Sequence, residues 1–195
     1  MSGNKRNALE KMLRAIDKDL IATAGLSGRS TLSPQVRAAL QAVPRHEFVR
    51  REDTGRAYKN KPLAIGHGQT ISQPFVVALM SELLDLPADT KAPANVLEIG
   101  AGSGYQSAIL AELAHDVAAI EIIAEIARTT QERLKRLGYD NVSMRIGDGA
   151  LGWPERAPFD GIIVAAAATK PPPALVAQLK PGAKLVIPIG PPREI

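Results

Sequence analysis

The feature that most constrains this chain is a change of rhythm at Asn95, where short apolar runs begin to alternate with helical stretches. Residues 96–99, 117–120, 142–146, 161–164 and 184–189 read as strands. Between them, residues 108–114 continue as helix. A second helix is marked by Ile126, Ala127, Thr130, Leu134 and Leu137 and closes at Gly138, and residues 172–179 form a third. Strands separated by helices need crossover connections. The pattern therefore predicts a doubly wound, mainly parallel α/β sheet with helices on both faces.

The first third predicts helices of its own. Leu9, Met12, Leu13, Ile16, Leu20 and Ile21 recur at three- and four-residue intervals among Lys11, Arg14, Lys18 and Asp19, an amphipathic helix ending near Gly25. Ser33 offers an N-cap and Pro34 a preset first turn to a second helix, whose apolar stripe is Val36, Ala39, Leu40 and Val43. Residues 44–73 show no periodicity and many glycines, prolines and polar residues, so they read as a loop too long to be a mere connector. A third helix is expected over 73–84, with Pro74 in its first turn.

Composition bears on function class. With 195 residues the chain is expected to form about one domain. It has no cysteine, and His46, His67 and His115 lack ligand spacing, so neither a thiolate nucleophile nor a metal mechanism is expected. No apolar run approaches the roughly 18 residues that span a bilayer, and the N-terminus lacks the apolar stretch of a secretory signal. The reading is a cytoplasmic protein without membrane partners. Residues 1–62 carry 13 Lys and Arg against 6 Asp and Glu, and residues 63–195 carry 11 against 14. That basic third is either a footprint for an anionic partner or solvated helix faces. Its only aromatics are Phe48 and Tyr58, which argues against nucleic acid.

The sharpest motif is VLEIGAGSGYQ, residues 96–106, where a strand turns through Gly100, Gly102 and Gly104 into a helix. In the dinucleotide fingerprint the third glycine falls three residues after the second, but here it is two residues on, so a nicotinamide cofactor is not expected. A purely structural turn stays open. Glu121 ends the second strand about 20 residues later, either as the acceptor of two ribose hydroxyls or as an acid favoured by the next helix's dipole. Asp148, inside GDG at 147–149, is a turn residue if read singly. Taken together, a glycine loop and two acids at successive strand ends outline one crevice for a nucleoside.

These residues resemble class I S-adenosylmethionine-dependent methyltransferases. The segments VPRHEFV (43–49), AY (57–58), PLAIGHGQTISQP (62–74), LGYDNV (137–142), GDGALGWPERAPFDGIIV (147–164) and QLKPGAKLVIPIG (178–190) narrow the resemblance to the protein-L-isoaspartate O-methyltransferase family. It implies a Rossmann-like methyltransferase fold with an N-terminal helical extension. The whole of 1–195 would be one domain, with helices and a substrate loop in 1–90 and the cofactor-binding core in 94–190. It implies S-adenosyl-L-methionine as cofactor, S-adenosyl-L-homocysteine as product, and isoaspartyl peptides and proteins as partners of a monomeric enzyme.

By the same resemblance, Ser72 is the active-site hydroxyl, while Ile65, Gly66, His67, Gly68, Gln69 and Thr70 line the cofactor and peptide site. Cofactor contacts are implied for Glu98, Gly100, Gly102, Ser103, Gly104, Glu121, Asp148 and Gly149. On spacing alone Ser72 reads as a helix N-cap, and the resemblance reverses that preference. The family pattern continues past PPREI with a further pair of strands that this sequence does not contain. Two other readings stay open: a methyltransferase acting on RNA or a small molecule, with the basic N-terminal third steering an anionic substrate, and, because of those strands, an inactive module that binds cofactor or peptide.

Overall fold

The computed structural model describes residues 3–87, 93–166 and 168–190. The chain divides into two compact units, Met1–Leu83 and Leu84–Ile195.

In the first unit, α1 (Gly3–Ser27) buries Leu9, Met12, Leu13, Ile16 and Leu20 along one stripe, ending two residues beyond the expected Gly25. Helix α2 (Pro34–Ala42) begins as its sequence requires, with the Val36 N–H donating to Ser33 Oγ at 3.4 Å. The Ser33 hydroxyl in turn donates to Glu82 Oε1 at 2.8 Å, and the Ser33 N–H reaches the same oxygen at 2.5 Å. Glu82 is nearly buried and lies in α3 (Pro74–Leu84), so this cap also ties two helices together. Ser33→Ala is expected to cost about 1–2 kcal/mol in urea unfolding, the combined loss of a cap and of a donor to a buried carboxylate. A change below a few tenths would show that the bond contributes nothing.

Residues 44–73 are more ordered than a loop, which corrects the expectation. Two 3-10 turns, Arg45–Glu47 and Arg51–Arg56, lead into an antiparallel hairpin of β1 (Leu63–Gly66) and β2 (Gln69–Ile71). The hairpin turn is His67-Gly68, with φ of 52° and 71°. Positive φ at both central residues is what a type I′ turn demands, and a histidine in the first of them hid the signal.

The second unit is a five-stranded, all-parallel sheet in the order β5-β4-β3-β6-β7. Its strands are β3 (Asn95–Ile99), β4 (Asp116–Glu121), β5 (Val142–Ile146), β6 (Phe159–Val164) and β7 (Leu179–Val186). The crossover helices are α4 (Tyr105–Leu113), α5 (Ala124–Arg136) and α6 (Pro173–Val176). One face of the sheet packs Leu97, Ile99, Ala118, Ile120, Ile162 and Val164 with Phe159 and Leu175 of α6. The other face turns Glu98 toward Ser107 of α4, as strand alternation requires.

The last helix and strand depart from their expected bounds. Helix α6 is a single turn instead of 172–179, and β7 starts at Leu179 instead of Lys184. Phe159 pairs with Leu179 but Gly161 with Lys184, so residues 180–183 bulge out of register. Pro181 has no N–H to give the ladder and Gly182 has φ 82°, which hid an early strand inside a turn-like sequence. Helix α4 begins at Tyr105, three residues earlier than expected, with Gly104 as its N-cap residue at φ 82°.

Candidate active site

The carboxyl ends of the parallel strands enclose a crevice of about 300 Å³. Its walls come from the end of β3 and the residue after it (Ile99, Gly100), from Ile120 of β4 and Ile122 just beyond it, and from the loop after β5 (Gly147 to Ala150), together with Val164, Ala166, Leu175 and Ile187. Of the residues singled out from sequence, Gly100, Asp148 and Gly149 line it directly. Gly100 has φ 81°, and a Cβ there would meet nothing nearer than 3.8 Å, so its bare backbone leaves room for a ligand's close approach. Gly149 is needed for a different reason: a Cβ on it would lie 2.2 Å from Ile99 Cγ2.

Glu121 sits beside this crevice, 5% exposed, and its carboxylate is already organised. Oε2 accepts the Gly102 N–H at 2.9 Å and Oε1 accepts the Ile123 N–H at 3.0 Å. Ile123 is the N-cap residue of α5, so one side chain joins the start of that helix to the glycine loop. A carboxylate has about four acceptor sites, which leaves two for a pair of vicinal hydroxyls. Asp148 accepts the Ala150 N–H on Oδ1 at 2.9 Å, the turn expected of it read singly. Its side chain is exposed and the second oxygen has no protein partner among the described residues. Gly102, Ser103 and Gly104 form the loop that Glu121 holds.

Glu98 does not line the crevice. It is fully buried on the opposite face of β3, where the Ser107 hydroxyl donates to Oε2 and Oε1 has no protein partner among the described residues. Burial raises its pKa from the usual 4.5 to about 8, Ser107 opposes that shift, and the nearby Glu121 charge adds to it. Glu98 is therefore mainly protonated at neutral pH. A carboxyl whose folded pKa exceeds its unfolded value contributes stability that is complete below pH 4.5 and is lost as pH rises toward about 8. Glu98→Gln keeps the shape and removes the titration, so melting temperature should fall less between pH 5 and 8 than in the parent. Parallel melting curves for the two proteins would reject the buried proton.

In the first unit, Ser72 follows β2 with its side chain half-buried. It is not the cap of α3. The Val76 and Val77 N–H groups donate to the Gln73 carbonyl, which makes Gln73 the N-cap residue, and Ser72 Oγ has no hydrogen-bond partner among the described residues. What holds Ser72 is its backbone: the guanidinium of fully buried Arg45 donates to its carbonyl at 2.8 Å and to the Ala57 carbonyl at 2.8 Å. The hairpin before it presents His67, Gly68, Gln69 and Thr70 at the surface, with Ile65 and Gly66 half-buried. Sequence reasoning missed Arg45 as the support of Ser72 and Ile122 as a crevice wall. Only Ile122 left a signal, an apolar residue directly after the acid that ends β4, and it is 67% exposed.

The apolar walls and carboxylate acceptors suit an S-adenosyl nucleoside. Apolar walls from Ile99, Ile122 and Leu175 can face a purine ring, and the carboxylates of Asp148 in the lining and of Glu121 beside it can accept from hydroxyl or amino groups. Among the described residues, no helix is long and apolar enough to cross a membrane.

Residues 17–195 match the family described as protein-L-isoaspartate (D-aspartate) O-methyltransferase, PCMT. The chain is 53% identical to protein-L-isoaspartate O-methyltransferase 2 of Syntrophobacter fumaroxidans, over 95% of this chain and 73% of that protein. It is 52% identical to protein-L-isoaspartate O-methyltransferase 1 of Cupriavidus necator, over 92% of this chain and 68% of that one. A solved protein-L-isoaspartate O-methyltransferase superposes with a TM-score of 0.73 at 28% identity, over 89% of this chain, which spans 55% of that solved chain's length. A Plasmodium falciparum structure in complex with S-adenosyl-L-homocysteine shares the fold, with a TM-score of 0.71 at 24% identity over 93% of this chain and 85% of that one. With the match running from Asp17 through the crevice to the end of the chain, this protein belongs to the protein-L-isoaspartate (D-aspartate) O-methyltransferase family.

Proposed function

We propose that residues 1–195 act as one S-adenosylmethionine-dependent methyltransferase, esterifying the free α-carboxylate of L-isoaspartyl residues, and the free side-chain carboxylate of D-aspartyl residues, in damaged proteins. This methylation begins their repair. The observation that carries the reading is family membership over residues 17–195, joined to a crevice whose acceptors match a nucleoside. A monomeric protein working in the cytoplasm is part of the proposal.

When bound, S-adenosylmethionine supplies a methyl group activated by its sulfonium. Glu121 would hold the ribose hydroxyls, Asp148 the adenine amino group, and Gly100 would let the ligand approach the backbone. An isoaspartyl α-carboxylate has a pKa near 3.5, so it is already an anion at pH 7 and requires no general base. The chain has no cysteine and so no Cys-His pair. The remaining task is alignment and exclusion of water, worth about 7 kcal/mol or more when geometry is good. Ser72, with its hydroxyl uncommitted and its backbone anchored by Arg45, would donate to the carboxylate and orient it.

The test uses the protein with methyl-labelled cofactor and matched isoaspartyl and aspartyl peptides, with RNA as a third substrate. Base-labile methyl ester on the isoaspartyl peptide alone is the expected result. Labelling of RNA and of neither peptide would reject the reading. Micromolar binding of S-adenosyl-L-homocysteine with no methyl transfer would leave a binding module instead.

A further inference from the structure

We propose that Thr130, on the buried side of α5, is a positioning residue for the cofactor: it holds the glycine loop in its binding conformation without touching the ligand. The inference rests on reading the crevice as the cofactor site. Threonines inside helices commonly bond back to the carbonyl four residues earlier, and Thr129 does so, donating to the Glu125 carbonyl at 2.9 Å. Its neighbour Thr130 does not. Thr130 Oγ1 instead donates to the Gly102 carbonyl at 2.6 Å, 28 residues away in sequence, and the side chain is only 1% exposed.

The same peptide segment is gripped from other directions. The Gly102 N–H is held by Glu121 Oε2, and Arg133, one turn along α5, donates to the Ser103 carbonyl at 2.8 Å. The Thr130 methyl packs where a side chain on Gly104 would otherwise sit, since a Cβ there would lie 2.7 Å from Thr130 Cγ2. Both polar groups of Gly102 are thus committed, the N–H to the acid expected to bind ribose and the carbonyl to α5.

A loop of three glycines at positive φ has many alternative conformations, because glycine loses more freedom on ordering than any other residue. Apparent affinity falls in proportion to the fraction of molecules in which the loop is ready to bind. Releasing the Gly102 carbonyl lowers that fraction and, through the rest of the Gly102 backbone, loosens the N–H held by Glu121 as well. Thr130 therefore acts on the cofactor through the loop and has no route to the peptide.

The experiment compares the parent with Thr130→Val, which keeps the shape and removes the hydroxyl, Thr130→Ser, which restores it, and Arg133→Gln, on the partly exposed side of the helix. Calorimetric titration with S-adenosyl-L-homocysteine should show about 5- to 10-fold weaker binding for Thr130→Val and about 2- to 5-fold for Arg133→Gln, with Thr130→Ser within about twofold of the parent. Hydrogen exchange without ligand should quicken at the amides of residues 102–104 in Thr130→Val and stay unchanged in β3 and β4. In methyl transfer, KM for the cofactor should rise by the same factor while kcat and the peptide KM hold. Folded variants that all bind within twofold of the parent would overturn the inference, and if Thr130→Val fails to fold, Arg133→Gln decides alone. A parent that does not bind S-adenosyl-L-homocysteine would overturn the crevice assignment itself, and this inference with it.

Discussion

Ser72→Ala is expected to lower the rate of isoaspartyl-peptide methylation by about 10²-fold or more, the usual consequence of removing one preorganised donor from a reacting anion. Ser72→Asp should be worse, because it sets a second anion beside the substrate carboxylate. Stability should barely move in either protein. Ser72 Oγ bonds to nothing in the described fold, and the first turn of α3 is closed on the Gln73 carbonyl, so no cap is lost. Had Ser72 been the cap, Ala would have cost about 1 kcal/mol while Asp retained it. The informative measurement is therefore initial methylation rate and melting temperature on the same three proteins. Near-normal turnover in Ser72→Asp would remove Ser72 from the chemistry.

The second large effect is expected at Glu121. Glu121→Ala should weaken S-adenosyl-L-homocysteine binding by about 10- to 150-fold, the loss of a charge-assisted acceptor worth about 1.5–3 kcal/mol. Unlike Ser72, this residue also has structural work. Its removal strands the Gly102 and Ile123 N–H groups, so melting temperature should drop too. Glu121→Gln would not be a mild control, since an amide offers one acceptor oxygen where the fold uses two. The comparison that separates binding from folding is Asp148→Ala, whose carboxylate is exposed and, among the described residues, bonds only the Ala150 N–H. It should lose affinity with little loss of stability. Parent-like affinity in a folded Glu121→Ala would take Glu121 out of the site.

Local chemistry was legible in the chain itself. The alternation of apolar runs and helical stretches after Asn95 dictates a parallel sheet. Ser33-Pro34 dictates the start of α2, and the three glycines after Ile99 dictate a sharp turn into α4. Each of these is settled by residues within a turn or two of one another. The type I′ hairpin at His67-Gly68 escaped because its first position holds a histidine. The early start of β7 escaped because Pro181 and Gly182 read as a turn when they form a bulge.

What the sequence determined by itself was the type and approximate place of most elements, and the set of acids and glycines that gather at the strand ends. Tertiary structure decided which of them do what. Strand alternation turned Glu98 away from the crevice and buried it, strand order brought Glu121 to the Gly102 N–H, and α5 packed so that Thr130 met the Gly102 carbonyl. Residues 19 and 28 positions apart meet only after crossover connections have ordered the strands. Hydrophobic periodicity reports which face of an element is apolar and carries no information about which element will lie beside it.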